Sequence, residues 1–225
     1  MKVLIINGSP NNDGCTSSAL KEVEKELKLE GIETITLNIG SKNIRGCIAC
    51  NYCKENHKCT FDDIVNEAAK LFEESDGILI GTPVYYSGMN GTLKSFLDRL
   101  FHSSYIGKSM KVGACIASSR RAGSTSALDE IYRYFEISNM PIATSTYFSE
   151  IHGKTKEEIY MDKEGIQTMK NLGRSMAFLI KSINLGKEKY GMPKKEIGNM
   201  TNFIKWLLKY YPRTRNIYIE TSSNI

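Results

Sequence analysis

No run in this chain approaches the roughly 20 consecutive apolar residues that a membrane-spanning helix requires. The N-terminal stretch Met1-Lys2-Val3-Leu4-Ile5-Ile6-Asn7-Gly8 is too short for a signal sequence and has no small-residue cleavage site. It reads instead as a strand of the mature protein, and the expected location is the cytoplasm. An excess of one charge is also missing. Against 30 Lys and Arg stand 25 Asp and Glu, a formal balance of +5, with the two signs interspersed except in a more basic tail from Lys187 onward. Such a balance suits an anionic cofactor and lacks the basic stripe of a nucleic-acid binder, so neither nucleic acid nor membrane is an expected partner. The scattered cysteines of a small secreted disulfide scaffold are absent too. Of 6 cysteines, four crowd into residues 47–59.

What is present is an alternation of short apolar runs with longer amphipathic segments. The runs fall at residues 3–6, 34–37, 77–81, 112–116 and 142–146, and the first, third and fourth lack polar alternation, as strands buried on both faces do. Helical periodicity occupies residues 16–29, 62–74, 89–101, 124–136 and 163–181. Five strands alternating with five helices predict a three-layer α/β/α sandwich around a parallel sheet, with right-handed crossovers and strand order 2-1-3-4-5. The expected division is one domain over residues 1–183, carrying a Cys-rich insertion at 46–60, and a helical extension over 184–225. Asn184-Leu185-Gly186 reads as a helix stop. A further amphipathic helix is expected at residues 199–211, with Phe203, Trp206, Leu207 and Tyr210 on its apolar face.

Three connections carry the chemistry. Directly after the first strand comes Asn7-Gly8-Ser9-Pro10-Asn11-Asn12-Asp13-Gly14-Cys15-Thr16-Ser17-Ser18, and then a helix. Small and hydroxylated residues at a helix N-terminus offer a phosphate unpaired N–H groups, a favourable dipole and uncharged donors. The loop matches neither G-x-x-x-x-G-K-[ST] nor G-x-G-x-x-G, so a monophosphate suits it better than ATP or a dinucleotide. After the third strand, Gly81-Thr82-Pro83-Val84-Tyr85-Tyr86-Ser87-Gly88 combines aromatic faces, glycine and proline, which suit a flat ring. In this strand order the two loops flank the switch point and converge on one ligand. After the fourth strand, Ser118, Ser119 and Arg120 lie on the same sheet edge, placed to meet an anionic ring or a dinucleotide phosphate.

These words together resemble the NADPH-dependent FMN reductase branch of the flavodoxin-like superfamily: Gly8-Ser9-Pro10 with Gly14 and Thr16, then Thr82-Pro83-Val84-Tyr85, Gly91-Thr92-Leu93-Lys94 and Phe96-Leu97-Asp98-Arg99. The resemblance covers about residues 1–182. It implies that Ser9, Asn11, Gly14, Thr16 and Ser17 hold an FMN phosphate, with Cys15 where the family usually has Asn. It also implies that Pro83, Val84, Tyr85, Tyr86 and Gly88, with Ser87 between them, border the isoalloxazine. The flavin carries the chemistry in such proteins, so no side chain is nominated as catalytic. The expected activity is transfer of electrons from NAD(P)H through FMN to a small-molecule or protein acceptor, in a homodimer or homotetramer.

The cysteines are spaced Cys47-x2-Cys50-x2-Cys53-x5-Cys59. Steps of three approach the cuboidal-cluster arrangement of bacterial ferredoxins. Reduced or disulfide-forming thiols are the second reading, with Lys54, His57 and Lys58 near enough to lower a thiol pKa. Zinc fits less well, because a four-cysteine zinc site is normally split into two separate pairs. The spacing is similar to that of iron–sulfur flavoproteins, which implies a [4Fe–4S] cluster, fed by ferredoxin in an electron carrier without its own nicotinamide site. A non-flavin module of the response-regulator kind would place acidic residues after the first strand. Asn7-Gly8-Ser9 stands there instead.

Overall fold

The computed structural model describes residues 1–104 and 107–196. Five strands form one parallel sheet: β1 (Lys2–Asn7), β2 (Glu33–Asn38), β3 (Gly77–Pro83), β4 (Val112–Ser119) and β5 (Glu150–His152). Their order is β2-β1-β3-β4-β5, the expected flavodoxin-like arrangement. Helices α1 (Cys15–Leu29) and α6 (Lys163–Tyr190) cover one face, and α3 (Ile64–Glu73), α4 (Gly91–Ser103) and α5 (Ser124–Ile137) cover the other. A short helix α2 (Tyr52–Asn56) and a 3₁₀ turn (Glu158–Met161) complete the elements.

Strand alternation sorts the core. Leu4, Ile6, Ile78 and Ile80 pack with Phe72, Phe96 and Phe135, while Val3, Ile5 and Leu79 pack with Leu20, Val23, Leu27 and Met176 on the opposite face. Each such side chain, removed from water, stabilises the fold by roughly 1.5–3 kcal/mol. The parallel sheet is apolar on both faces because helices cover both. Crossovers leave β1 toward α1 and β3 toward α4, on opposite faces, so the crevice between these two strand ends is free to receive a ligand.

Two expectations are corrected. The fifth strand lies at Glu150–His152, not at residues 142–146. Ile142 makes only an isolated bridge to Gly113, after which Ser145 donates its hydroxyl to the Thr168 carbonyl of α6 at 2.7 Å. The apolar run is thus diverted to the helix layer, and the true strand has a single buried residue, Ile151, too little to show alternation. The stop at residues 184–186 is also passed. Helix α6 continues to Tyr190, with Lys187 and Lys189 in its last turn complementing the dipole, and Gly191 follows in the left-handed region at φ 73°. Gly186 stays helical because a helix tolerates an interior glycine at about 1 kcal/mol. The chain divides into compact units Met1–Tyr190 and Gly191–Ile225. The helix expected at 199–211 lies outside the described residues.

Candidate functional site

Residues 8–14, between β1 and α1, form a loop held by its own short polar side chains. Asn7 Oδ1 accepts from the Ser9 amide at 3.0 Å, Ser9 Oγ from the Asn11 amide at 3.1 Å, and Asn11 Oδ1 from the Asp13 amide at 3.0 Å. These turns fix the loop before any ligand arrives. The Gly8 amide donates to the Gly81 carbonyl at 2.8 Å, tying the loop to the end of β3. Behind it, a Cβ on Gly40 would stand 2.1 Å from the Ser9 carbonyl carbon, so only glycine lets the end of β2 lie this close. Helix α1 then begins at Gly14, which is extended and offers no side-chain cap, and the first turn carries no acidic residue. Its leading amides form an anion site with the positive end of the helix dipole.

The third and fourth strand ends meet this loop. Thr16 Oγ1 and Ser118 Oγ share a buried hydrogen bond of 2.7 Å, joining the start of α1 to the end of β4. Ser119 Oγ lies 3.0 Å from Ser124 Oγ and 3.1 Å from His152 Nδ1. Together they bound a cleft of about 470 Å³, a volume suited to a cofactor. Ser9, Asn11, Gly14, Cys15 and Thr16 line it from the first loop, Pro83 and Val84 from β3, and Ser118, Ser119 and Arg120 from β4. Burial pushes the Cys15 thiol above its ordinary pKa, with Glu158 and Glu157 adding to the shift, so it stays a neutral wall residue.

Five nominated residues do not line the cleft: Ser17, Tyr85, Tyr86, Ser87 and Gly88. Ser17 is buried under the first turn of α1. The other four form a tight turn in which the Tyr85 and Gly88 amides each donate to the other's carbonyl at 2.9 Å. Tyr86 and Ser87 sit there at φ 50° and 62°, and the Met89 amide donates to Glu130 Oε2 at 2.9 Å. That turn carries Tyr86 out to full exposure and leaves Tyr85 half exposed. Conversely, the connection after β5 lines the cleft with Gly153, Lys154, Thr155, Lys156 and Glu157, and Asp13 joins it. The sequence signalled none of the residues after β5, because a three-residue strand gives no periodicity to mark its end. Lys156 pairs with Asp13 across the cleft and, by hydrogen bond and charge, holds that carboxyl below its ordinary 3.8.

The four cysteines lie elsewhere. All are free thiols, and Cys47, Cys50, Cys53 and Cys59 line one small pocket with Phe61 and Arg99. Cys53 is buried on α2, which starts and ends at left-handed Asn51 and His57. Burial raises the Cys53 pKa, and the nearby Cys47, Cys50 and Cys59 sulfurs add to the rise. Cys47 and Cys50 are exposed on irregular chain. Four soft thiols facing one pocket match an iron–sulfur group in number and chemistry. As placed, no set of three or more His, Cys, Asp or Glu among the described residues converges to hold a metal ion, because the exposed pair is not drawn in.

A doubly wound sheet whose switch-point cleft opens on an uncapped helix N-terminus defines an α/β protein for a phosphorylated ligand. The chain belongs to the NADPH-dependent FMN reductase family, whose model matches residues 1–154, so it is an FMN-binding protein of an oxidoreductase family. It is similar to an iron–sulfur flavoprotein of Methanocaldococcus jannaschii, 35% identical over 192 residues that span 81% of this chain and 99% of the relative. It is also similar to an iron–sulfur flavoprotein of Methanosarcina thermophila, 28% identical over 84% of this chain and 100% of that one. Among solved structures, RosB with a bound 8-demethyl-8-formylriboflavin-5′-phosphate intermediate superimposes with a TM-score of 0.69 at 14% identity, over 90% of this chain and 92% of that one, a likeness of fold. Among the described residues, no helix is long and apolar enough to cross a membrane.

Proposed function

We propose that this protein is an FMN-dependent oxidoreductase that takes electrons from NAD(P)H and passes them to a small-molecule or protein acceptor by way of a [4Fe–4S] cluster on Cys47, Cys50, Cys53 and Cys59. The observation that carries the reading is the convergence of the β1, β3 and β4 ends on one cleft. When bound, FMN supplies two-electron chemistry with a hydride donor, and the cluster supplies one-electron chemistry. The residues do the rest. The first-turn amides of α1 and the Ser9–Asn11 turns hold the phosphate, and Thr16 and Ser118 close the floor beside it. Pro83 and Val84 form an apolar wall for the ring, while Ser118 and Ser119 offer neutral donors. Arg120 and Lys154 bring positive charge to the rim, where a nicotinamide dinucleotide phosphate approaches. Among the described residues no aromatic side chain lines the cleft, which supports its completion by a second copy in a homodimer or homotetramer.

A second reading keeps both centres but takes electrons from ferredoxin, leaving NAD(P)H unreactive. The relatives named iron–sulfur flavoproteins favour it. Anaerobic purification with FMN, iron and sulfide counts, followed by mixing with NADPH, separates the two. Rapid bleaching of the flavin supports the first reading, and bleaching only with reduced ferredoxin supports the second. Colourless protein that shows no thermal shift with excess FMN removes both.

A further inference from the structure

Arg99 is the most deeply buried charged side chain among the described residues, 1% exposed on α4, and the strand-end cleft does not use it. All of its donors are engaged. Nη1 donates to Asp63 Oδ2 at 2.7 Å and to the Arg45 carbonyl at 3.2 Å. Nη2 donates to Asp63 Oδ1 at 2.9 Å and to the Phe61 carbonyl at 3.4 Å. The remaining donor, Nε, points at Cys59 Sγ from 3.2 Å. The Phe61 ring lies 4.9 Å from the guanidinium, so the fork is held in plane and in depth.

Cys59 differs from the other three thiols. It is separated from Cys53 by five residues, where the others follow at steps of three. Its backbone is fastened to α3, since its amide donates to Asn66 Oδ1 at 2.9 Å and its carbonyl accepts from Asn66 Nδ2 at 3.1 Å. Cys47 and Cys50, by contrast, are exposed. Cys53 is buried on α2, and Cys59, half-buried, is the sulfur to which a side chain of the core donates a hydrogen bond. A lysine in place of Arg99 could meet Asp63, but its ammonium has no rigid fork with which to serve Cys59 as well.

We infer that Arg99 is the positioning residue of the four-cysteine centre: it seats Cys59 through a charged N–H···S bond and thereby raises the midpoint potential of the iron–sulfur group. The inference rests on the cluster reading above. Reduction of that group adds one electron and breaks no bond, so the change to be stabilised is one more negative charge beside Cys59. A cationic donor on a ligand sulfur favours the more negative state. Asp63 works in the opposite sense. It keeps Arg99 in place while cancelling part of its field, and it also caps α3 by accepting from the Val65 amide at 3.1 Å.

The test compares wild type, Arg99→Lys and Asp63→Asn as full-length, anaerobically reconstituted protein. Iron, sulfide and FMN are counted, and the cluster and flavin potentials are titrated separately. Asparagine retains the helix cap, so Asp63→Asn is expected to load normally with a higher cluster potential. Arg99→Lys is expected to show a lower cluster potential or to lose iron and sulfide while keeping FMN. The flavin potential stays unchanged in both. Should Arg99→Lys fail to retain FMN and to melt cooperatively, the sign of the Asp63→Asn shift decides. Variants that load like wild type with unmoved cluster potentials overturn the inference and leave the cluster reading intact. Wild type that takes up no iron and sulfide overturns both.

Discussion

The strand-end cleft and the cysteine pocket are built from different material. In the cleft, the groups on offer to a phosphate are backbone amides, and their positions follow from the parallel register of β1 and β3 and from the start of α1. In the pocket, the donors are thiols on a loop whose regular structure is one short helix, and Arg99, paired with the half-buried Asp63, ties it to the core through Cys59. Backbone sites survive most single substitutions, because no single side chain supplies the function. A side-chain clamp concentrates the attachment in a few residues, here Arg99, Asp63 and Asn66. The cleft should therefore fail gradually, and the pocket all at once.

The largest contrast is expected at Arg99. Replacing it with methionine leaves the half-buried Asp63 and the Arg45 and Phe61 carbonyls without their donor, a loss of about 1.5–3 kcal/mol in urea unfolding. Adding Asp63→Asn in the same chain should recover part of that, giving a positive coupling in a double-mutant cycle. Full additivity would break the claim that the Arg99–Asp63 pair acts as one clamp. Next comes Gly40→Ala. Its new Cβ falls onto the Ser9 backbone, so it should cost about 2 kcal/mol as an overpacked contact. FMN affinity should drop by the ~10-fold that 1.4 kcal/mol represents, while iron content is kept. Loss of iron with retention of FMN would reverse the comparison.

Thr16→Val is expected to be milder. It removes the hydroxyl that Ser118 uses and leaves that buried oxygen without its bond, about 1–2 kcal/mol, read as weaker FMN retention on dialysis. The smallest effect belongs to the exposed Asp13–Lys156 pair. Asp13 has a folded pKa below its ordinary 3.8, so its contribution is present above that value and fades as pH falls through the lowered one. Lys156→Ala should return the Asp13 carboxyl toward its ordinary range, measured by NMR titration, with little change in melting temperature because surface pairs contribute little. An unmoved Asp13 titration would show that the pair does not hold across the cleft.

Several features were legible in the residues themselves. Buried runs such as Val3-Leu4-Ile5-Ile6 announced both-face burial, and the small and hydroxylated residues 7–18 announced a helix start with unpaired amides. Ser9, Asn11, Thr16, Pro83, Ser118 and Arg120 do meet at one cleft as their positions at strand ends required. Tyr85 and Tyr86 did not follow, because their direction depends on a turn closed by reciprocal amide bonds and steadied by Glu130, far along the chain. The segment around Ile142 looked like a strand, but its pairing with β4 stops at one bridge to Gly113, and Ser145 turns to α6 instead.

Sequence by itself determined the order of elements, the apolar faces and the places where loops leave the sheet, since these depend on local periodicity and on the chain's own punctuation. It also determined that four thiols lie within one short loop. Tertiary structure alone decided that the loop after β5 joins the cleft, that Lys156 reaches Asp13, and that a guanidinium on α4 finds Cys59 and Asp63 forty and thirty-six residues away. Contacts at such separations are set by how the layers pack, and no local signal encodes them.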